Sequence, residues 1–307
     1  TYFETAFKGT AVYFRVGKGD EILHVTVDGQ SAAPLVKPAP GLYGVEGLGK
    51  GKHMVRVAVA TESQAAPDTF GGFSTLADAK PVALKARKHQ IEFIGDSHTV
   101  GYGNISTTRD CTTDDVWKTT DNTLAFGPLM AERYDADYQI NAISGHGIVR
   151  NYDGSPGDPV PVAYPFVLLS HGTLYQDAGW QPQIIVIALG TNDFTTALHA
   201  GEKWTTRDEL HADYEATYVK FLKDLRARNP KAYFIVWATD MANGEIATEE
   251  QKVVDLVKAD GETRISFMLM NGLQMTGCHY HPSAGDDQTI AKALQAFVDK
   301  HPEVLKK

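Results

Sequence analysis

The alternation of hydrophobic and polar positions changes near residue 88. Before that point, apolar and polar residues alternate with a period of two in short segments, as in strands with one buried face. Asp28-Gly29 directly follows one such segment and predicts a two-residue hairpin turn. The clearest segments are residues 10–16, 21–27 and 53–60. We expect the last strand and a linker within residues 61–90, and a small all-β domain of the jelly-roll type over residues 1–88.

From residue 91 onward, short apolar runs recur with stretches between them that are long enough for helices. This alternation is typical of βαβ units, and it predicts an α/β domain with a parallel sheet over residues 89–307. A capping box at Thr206–Glu209 opens an amphipathic helix that is expected to end at Arg228. The apolar runs lie at residues 91–94, 137–143, 184–189, 232–238 and 264–269, and further helices are expected at 121–133, 248–259 and 286–299.

The composition of the chain argues against some classes of binding partner. Its 307 residues are 43% hydrophobic, which suffices for two domains with buried cores. The formal net charge is −9 and no unbroken run of Lys and Arg is longer than two residues, so we expect neither nucleic acid nor a membrane surface as partner. No apolar run reaches the roughly 18 to 20 residues that span a bilayer. The two cysteines, Cys111 and Cys278, are compatible with one disulfide in an oxidising compartment or with two free thiols in the cytosol.

The first apolar run of the α/β region stops on Gly95-Asp96-Ser97. In open parallel sheets, ligands bind where the carboxyl ends of the strands and the helix N-termini meet. Ser97 is therefore a candidate nucleophile at that edge. A serine in an ordinary turn is the structural alternative, because Asp and Ser are common turn residues.

Two further strand ends carry hydrogen-bond donors. Gly145 follows the second apolar run and Asn192 follows the third. The carboxyl ends of parallel strands converge, so the Gly145 N–H and the Asn192 amide are expected to point at the atom that Ser97 attacks. Donors aimed in this way form an oxyanion hole and stabilise the transition state by about 3 to 4 kcal/mol each. Taken singly, both residues are also compatible with simple turns.

A histidine-rich segment, residues 277–283, follows the last apolar run. His279 and His281 are both candidates for the general base that takes the Ser97 proton, and we favour His281, which a proline follows. Cys278 and the two histidines are also possible zinc ligands. No fourth ligand stands at the usual spacing, so we expect neither a metal nor another cofactor.

In combination, Gly95-Asp96-Ser97, Gly145, Gly190-Thr191-Asn192-Asp193 and His281-Pro282 resemble the SGNH/GDSL hydrolase superfamily. The β region in front, Gly101-Tyr102-Gly103, the run at 144–152 and the ending at 277–282 are similar to carbohydrate esterase family 2, over nearly the whole chain. This resemblance implies a jelly roll followed by a three-layer, flavodoxin-like SGNH domain. It implies Ser97 as nucleophile, His281 as base, and the Ser97 N–H, Gly145 and Asn192 as oxyanion donors. It further implies removal of acetyl groups from plant-type polysaccharides such as xylan and glucomannan.

The chain departs from the superfamily pattern in one respect. Members commonly carry an aspartate two or three residues before the histidine, where this chain has His279 and Cys278. We therefore predict a Ser-His dyad in which a backbone carbonyl, or a group from elsewhere in the chain, orients His281. Asp96 is assigned a structural role in the nucleophile turn.

Cys111 and Cys278 are both expected on the active edge. A disulfide between them would pin the histidine loop, and two buried free thiols are the alternative. Sugar sites usually offer aromatic faces, so Tyr280, adjacent to the base, is a candidate substrate contact. Trp180 and Trp204 are weaker candidates.

These features favour a secreted or periplasmic, monomeric esterase that acts on an acetylated polysaccharide or oligosaccharide through an acetyl-Ser97 intermediate. Two alternatives stay open. One is an SGNH esterase or thioesterase that acts on other acyl chains, and the other is a non-catalytic carbohydrate-binding protein with a vestigial serine.

Overall fold

The computed structural model describes residues 1–62 and 69–306. The chain forms two compact units, one of residues 1–86 with 120–123 and the other of residues 87–119 with 124–307. The sequence predicts the last strand and a linker within residues 61–90. Residues 63–68, including Pro67, lie outside the described part, so only residues 61–62 and 69–90 test this expectation. None of the described helices has the length and apolar character needed to cross a membrane.

The smaller unit consists of antiparallel strands. One sheet has the order β4-β3-β7-β1-β9 with β5 also paired to β3, and a second has the order β6-β2-β8. Asp28 and Gly29 both have positive φ, at 52° and 80°, and join β3 to β4 in a two-residue hairpin, as predicted. The described strands are β1 (Tyr2–Gly9), β2 (Val12–Val16), β3 (Ile22–Val27), β4 (Gln30–Ser31), β5 (Leu35–Val36), β6 (Gly41–Val45), β7 (Gly51–Val59), β8 (Phe70–Thr75) and β9 (Lys80–Val82).

The larger unit is built on a parallel sheet in the order β11-β10-β12-β13-β14. This is the flavodoxin-like strand order, which confirms the predicted α/β class. The strands are β10 (His89–Gly95), β11 (Ala136–Ala142), β12 (Ile184–Ala188), β13 (Tyr233–Thr239) and β14 (Ile265–Met270). The helices are α1 (Ser97–Val100), α2 (Thr113–Thr119), α3 (Phe126–Arg133), α4 (Val160–Ala163), α5 (Thr191–Phe194), α6 (Arg207–Arg228), α7 (Glu245–Ala259) and α8 (Ala284–Lys300).

Two hydrophobic cores cover the two faces of this sheet. Ile185 and Ile187 of β12 belong to the core that also contains buried residues of α6 and α7. Their neighbours Ile184 and Val186 belong to the opposite core, with residues of α3 and α8. Successive strand residues point to opposite faces, so burial on both sides explains why these strands are apolar throughout. Helices on both faces make the three layers that the sequence predicts.

The helix boundaries match the prediction for α6 and differ elsewhere. The capping box of Thr206 and Glu209 is present at the start of α6. The helix expected over 121–133 begins only at Phe126, because the Asp121 carboxylate accepts hydrogen bonds from the Thr123 N–H and hydroxyl at 2.9 and 2.6 Å and holds a separate turn. Helix α7 begins at Glu245, three positions before the expected start, directly after Gly244 with φ 80°.

A single carboxylate organises the loop that follows β11. Asp193 of α5 accepts hydrogen bonds from the Ile148, Val149 and Arg150 N–H groups, at 3.0, 2.9 and 2.9 Å. Gly147 lies so close that a Cβ there would be 2.4 Å from Asp193 Oδ2. The side chain is fully buried, and burial raises its pKa to about 6. Asp193 thereby ties the end of β12 to the loop that contains Gly145.

The Asp193 contacts predict a stability effect. Replacing Asp193 with Asn puts a donor opposite one backbone N–H and leaves that buried group unpaired, so we expect the unfolding free energy to fall by about 2 kcal/mol. All four tryptophans lie in the larger unit, so urea unfolding followed by tryptophan fluorescence reports on that unit alone. The control Asp224→Asn alters a carboxylate that is 56% exposed in α6 and is expected to change stability by less than about 0.5 kcal/mol. Equal stability of the two variants would contradict the assignment.

Gly95 generates a second prediction. A Cβ at Gly95 would lie 2.0 Å from Thr99 Oγ1 and 2.9 Å from the Ala188 carbonyl oxygen. We expect Gly95→Ala to lower the unfolding free energy by about 3 kcal/mol through overpacking. Gly285→Ala is the control, since a Cβ there meets its nearest neighbour at 3.6 Å, and its effect should stay within about 1 kcal/mol. The same fluorescence measurement checks both, and a tolerated Gly95→Ala would show that the turn before Ser97 is less tightly packed than described.

Candidate active site

Ser97 and His281 meet at the carboxyl edge of the parallel sheet. Ser97 is the first residue of α1, and the Asp96 carboxylate before it caps the helix by accepting the His98 N–H at 3.0 Å. His281 follows the 3₁₀ turn Cys278–Tyr280, between β14 and α8. The distance between Ser97 Oγ and His281 Nε2 is 2.9 Å. This is the spacing of a nucleophile and its general base.

A backbone carbonyl orients the imidazole. His281 Nδ1 lies 2.9 Å from the Cys278 carbonyl oxygen. A carbonyl can only accept, so Nδ1 carries the hydrogen and Nε2 is left to accept from the Ser97 hydroxyl. Among the described residues, no Asp or Glu is bonded to this ring. The geometry is that of a Ser-His dyad.

The surroundings of His281 keep it neutral. The Tyr102 ring lies 4.3 Å from the imidazole, inclined by 30°, and the His98 ring meets it edge-on at 5.4 Å. Burial lowers the pKa of His281 to about 4 and that of His98 to about 3. His281 is therefore unprotonated at neutral pH and able to accept a proton.

His279 makes different contacts from His281. Its Nδ1 accepts a hydrogen bond from the Tyr102 hydroxyl at 3.1 Å, and its Nε2 donates to the Cys111 carbonyl at 2.8 Å. Both ring nitrogens are thus engaged away from Ser97. Of the two candidate bases, the structure brings only His281 to the serine.

Two backbone N–H groups, those of Ser97 and Gly145, stand just beyond the ends of the neighbouring strands β10 and β11. The Ser97 N–H opens α1, where it has no partner within the helix, and Gly145 adopts the left-handed conformation with φ 81°. Within residues 1–62 and 69–306, neither N–H donates to a protein acceptor. Asn192 is buried, and its Nδ2 lies 3.2 Å from Asp96 Oδ2 and 2.9 Å from the His146 carbonyl. To act as an oxyanion donor, Asn192 must share one of these hydrogens, and its role stays a prediction.

Asp96 contacts the scaffold of the site rather than the base. Its carboxylate accepts from the His98 N–H and from Asn192. Burial raises its pKa to about 7, and the nearby Asp193 charge adds to the shift. These contacts agree with the structural role expected for Asp96.

The two cysteines are joined. Cys111 and Cys278 form a disulfide across 167 positions, with a Cα–Cα distance of 5.6 Å. The Cys278 sulfur is therefore not a thiolate that could bind zinc, which removes the metal interpretation of residues 278–281.

Of the three candidate aromatic contacts, only Tyr280 lies near the catalytic base. Tyr280 is 63% exposed beside the base, with the Arg109 guanidinium 4.9 Å from its ring centre. The structure places Trp204 in the core rather than on a sugar-accessible surface, because the ring is 8% exposed and its N–H donates to Asp213 at 3.0 Å. The structure does not bring Trp180 to Ser97 either, because Trp180 precedes the amino end of β12, at the opposite edge of the sheet, where its N–H lies 3.4 Å from Glu92 Oε2.

Tyr102 is part of the Gly101-Tyr102-Gly103 resemblance noted in the sequence, but its contact with His281 was not expected there, and neither was a role for Asp193. Tyr102, which covers His281, stands between Gly101 and Gly103, and both glycines have positive φ, at 82° and 57°. A large aromatic residue between two turn glycines beside the nucleophile was the available signal. Asp193 stands next to Asn192, but nothing in one sequence shows which backbone groups a buried carboxylate accepts.

Family models and relatives match both units. The family described as carbohydrate esterase 2 N-terminal matches residues 1–84, and the GDSL-like lipase/acylhydrolase family matches residues 93–265. An acetylxylan esterase / glucomannan deacetylase of Cellvibrio japonicus is 50% identical over 95% of this chain and 82% of the relative.

Solved structures agree with these matches. A carbohydrate esterase whose active site displays divergent catalytic and non-catalytic binding functions superposes with a TM-score of 0.93 at 47% identity, over 97% of this chain and 89% of the other. A family two carbohydrate esterase from Clostridium thermocellum, solved with cellohexaose, gives 0.88 at 26% identity, over 99% and 93%. These matches confirm the resemblance drawn from the sequence. The chain belongs to carbohydrate esterase family 2 within the GDSL-like hydrolases, and it is a carboxylic ester hydrolase.

Proposed function

We propose that this enzyme removes O-acetyl groups from plant-type polysaccharides, acetylated xylan and glucomannan, through an acetyl-Ser97 intermediate. The observation that carries the proposal is the Ser97–His281 hydrogen bond of 2.9 Å at the sheet edge. The 50% identical relative that bears the name acetylxylan esterase / glucomannan deacetylase supports the substrate class.

Acylation follows from the orientation of the dyad. Ser97 Oγ attacks the acetyl carbonyl carbon while His281 Nε2 takes the hydroxyl proton. The negative charge that develops on the carbonyl oxygen is stabilised by the Ser97 and Gly145 N–H groups and the Asn192 amide. The imidazolium then returns the proton to the sugar oxygen as the ester C–O bond breaks. The products are the free sugar hydroxyl and acetyl-Ser97.

Deacylation uses the same groups in reverse. A water molecule attacks the acetyl carbon of acetyl-Ser97 and gives a proton to His281 Nε2. The second tetrahedral intermediate collapses to acetate, and the imidazolium reprotonates Ser97 Oγ. In both steps the Cys278 carbonyl accepts from Nδ1 and stabilises the transient positive charge.

We further propose that the enzyme works outside the cytoplasm, secreted or in the periplasm. The disulfide supports this location, because structural disulfides persist in oxidising compartments. A polymeric substrate fits the same location, since polysaccharides of plant walls lie outside the cell.

Alanine variants test the dyad. We expect Ser97→Ala and His281→Ala to lower kcat for 4-nitrophenyl acetate by about 10³-fold or more, because each removes an atom of the reacting pair. His279→Ala is the matched comparison and is expected to keep activity within about tenfold of the wild type, because this ring does not reach Ser97 and contacts the base only through Tyr102. Activity that survives in Ser97→Ala, or loss confined to His279→Ala, would contradict the mechanism.

The same assay, with other substrates, separates the competing functions. The proposal predicts acetate release from acetylated xylan and glucomannan and slow turnover of 4-nitrophenyl octanoate. Comparable rates on octanoate and acetate would favour an esterase for other acyl chains. A serine-directed phosphonate that fails to label Ser97 would favour a non-catalytic carbohydrate-binding role.

The pH dependence of kcat/KM tests the state of His281. Catalysis needs the neutral imidazole, and burial lowers its pKa to about 4. Activity should therefore be retained as the pH falls through 6.5 and should be lost only near pH 4. Initial rates on 4-nitrophenyl acetate, measured after confirming by fluorescence that the protein is folded at each pH, check this. An acid limb near the ordinary histidine value of about 6.5 would contradict the described burial.

A further inference from the structure

Cys278 is hydrogen-bonded to the catalytic base and covalently bonded to a distant segment of the chain. Its carbonyl oxygen accepts the His281 Nδ1 hydrogen at 2.9 Å, and its sulfur is bonded to Cys111. The residue that orients the base is thus itself held by a covalent bond to a segment 167 positions away. In the superfamily pattern, a carboxylate side chain from this part of the loop does the orienting.

The main chain of Cys278 is also held by the nucleophile loop. Its N–H donates to the Gly103 carbonyl at 3.3 Å, and the residue is fully buried. Gly103 packs directly against it, because a Cβ at Gly103 would lie 2.4 Å from Cys278 Cβ. The Cys278 carbonyl also accepts the His281 backbone N–H at 3.1 Å, so the disulfide adds a covalent restraint to a turn that backbone hydrogen bonds already close.

Cys111 is connected to His281 through a series of contacts between neighbouring side chains. The Cys111 carbonyl accepts from His279 Nε2, His279 accepts from the Tyr102 hydroxyl, and the Tyr102 ring covers the His281 imidazole. The segment before Cys111 is tied to the same loop, since the Arg109 carbonyl accepts the His279 N–H at 2.8 Å. Breaking the sulfur–sulfur bond removes the only covalent link among these contacts.

We propose that the Cys111–Cys278 disulfide is a positioning element for His281, holding the Cys278 carbonyl on Nδ1 in place of the missing carboxylate. The inference rests on the proposed function of the dyad. A phosphine attacks one sulfur and displaces the other as a thiolate. Water then hydrolyses the thiophosphonium, so the phosphine leaves as its oxide, water supplies the two protons, and two thiols remain. The reduced enzyme then keeps its substrate contacts but orients its base poorly, so kcat falls while KM changes little.

The groups that face His281 give a second readout. They are Ser97 and His98 of α1, Tyr102 of the following loop, and His279 of its own loop. None of these is a carboxylate, so a loosened imidazole that gains solvent regains its ordinary protonation behaviour. The acid limb of kcat/KM is therefore expected to move up in pH on reduction, which a loss of stability alone does not produce.

The experiment compares oxidised and phosphine-reduced enzyme. The chain has only these two cysteines, so thiol titration should count none before reduction and two after it. Rates on 4-nitrophenyl acetate are expressed per serine titrated to its endpoint with a phosphonate, which restricts them to folded sites. We expect kcat to fall at least tenfold, KM to change less than twofold, the acid limb to rise by about one pH unit, and all three to recover on reoxidation.

Two cysteine variants test whether the effect of the reductant comes from the disulfide. Cys111→Ser retains the backbone carbonyl that accepts from His279, removes the disulfide, and should reproduce the reduced state without any reductant. The double variant Cys111→Ser/Cys278→Ser should not respond to phosphine at all. Unchanged kcat and an unchanged acid limb in folded, reduced enzyme would overturn the positioning role and leave the proposed function intact. Full activity of Ser97→Ala would instead overturn the proposed function.

Discussion

The hydrogen bond from His281 Nδ1 to the Cys278 carbonyl is the constraint on which the rest of the site depends. It selects the tautomer in which Nε2 accepts from Ser97, and without it the imidazole can adopt either tautomer. A carbonyl is neutral, so it stabilises the imidazolium less than a carboxylate does. Burial disfavours the imidazolium further, and what the neighbouring side chains provide is a fixed orientation of the ring. The ring is held between Tyr102, His98 and Ser97, and its orientation is set before substrate binds.

The scaffold also fixes the positions of the residues that follow the neighbouring strand ends. Ser97, Gly145 and Asn192 each follow the end of a strand, and the parallel order of the sheet brings these strand ends to one edge. The strand ends alone do not fix loop positions. Asp193 does so for the Gly145 loop by accepting three backbone hydrogens, and its neighbour Asn192 bonds to Asp96 beside the serine. Two adjacent residues of α5 thus connect the three strand ends.

Much of this arrangement was predictable from the sequence. The βαβ spacing, the capping box at Thr206 and the four motif blocks depend on local patterns, and the structure has the predicted elements there. Trp180 and Trp204 show the limit. An aromatic side chain is compatible with a sugar platform or with packing, and only the fold decides that Trp204 is buried and that Trp180 lies at the opposite edge. The carbonyl of Cys278 is invisible in the sequence, because every residue has one.

Nitrogen NMR of the His281 side chain in the resting enzyme tests the carbonyl-held dyad directly. We expect a neutral imidazole with its hydrogen on Nδ1, unchanged from about pH 8 down to about pH 5, because burial depresses the pKa and the Cys278 carbonyl accepts that hydrogen. A ring that is protonated at neutral pH, or that carries its hydrogen on Nε2, would contradict the carbonyl-held dyad.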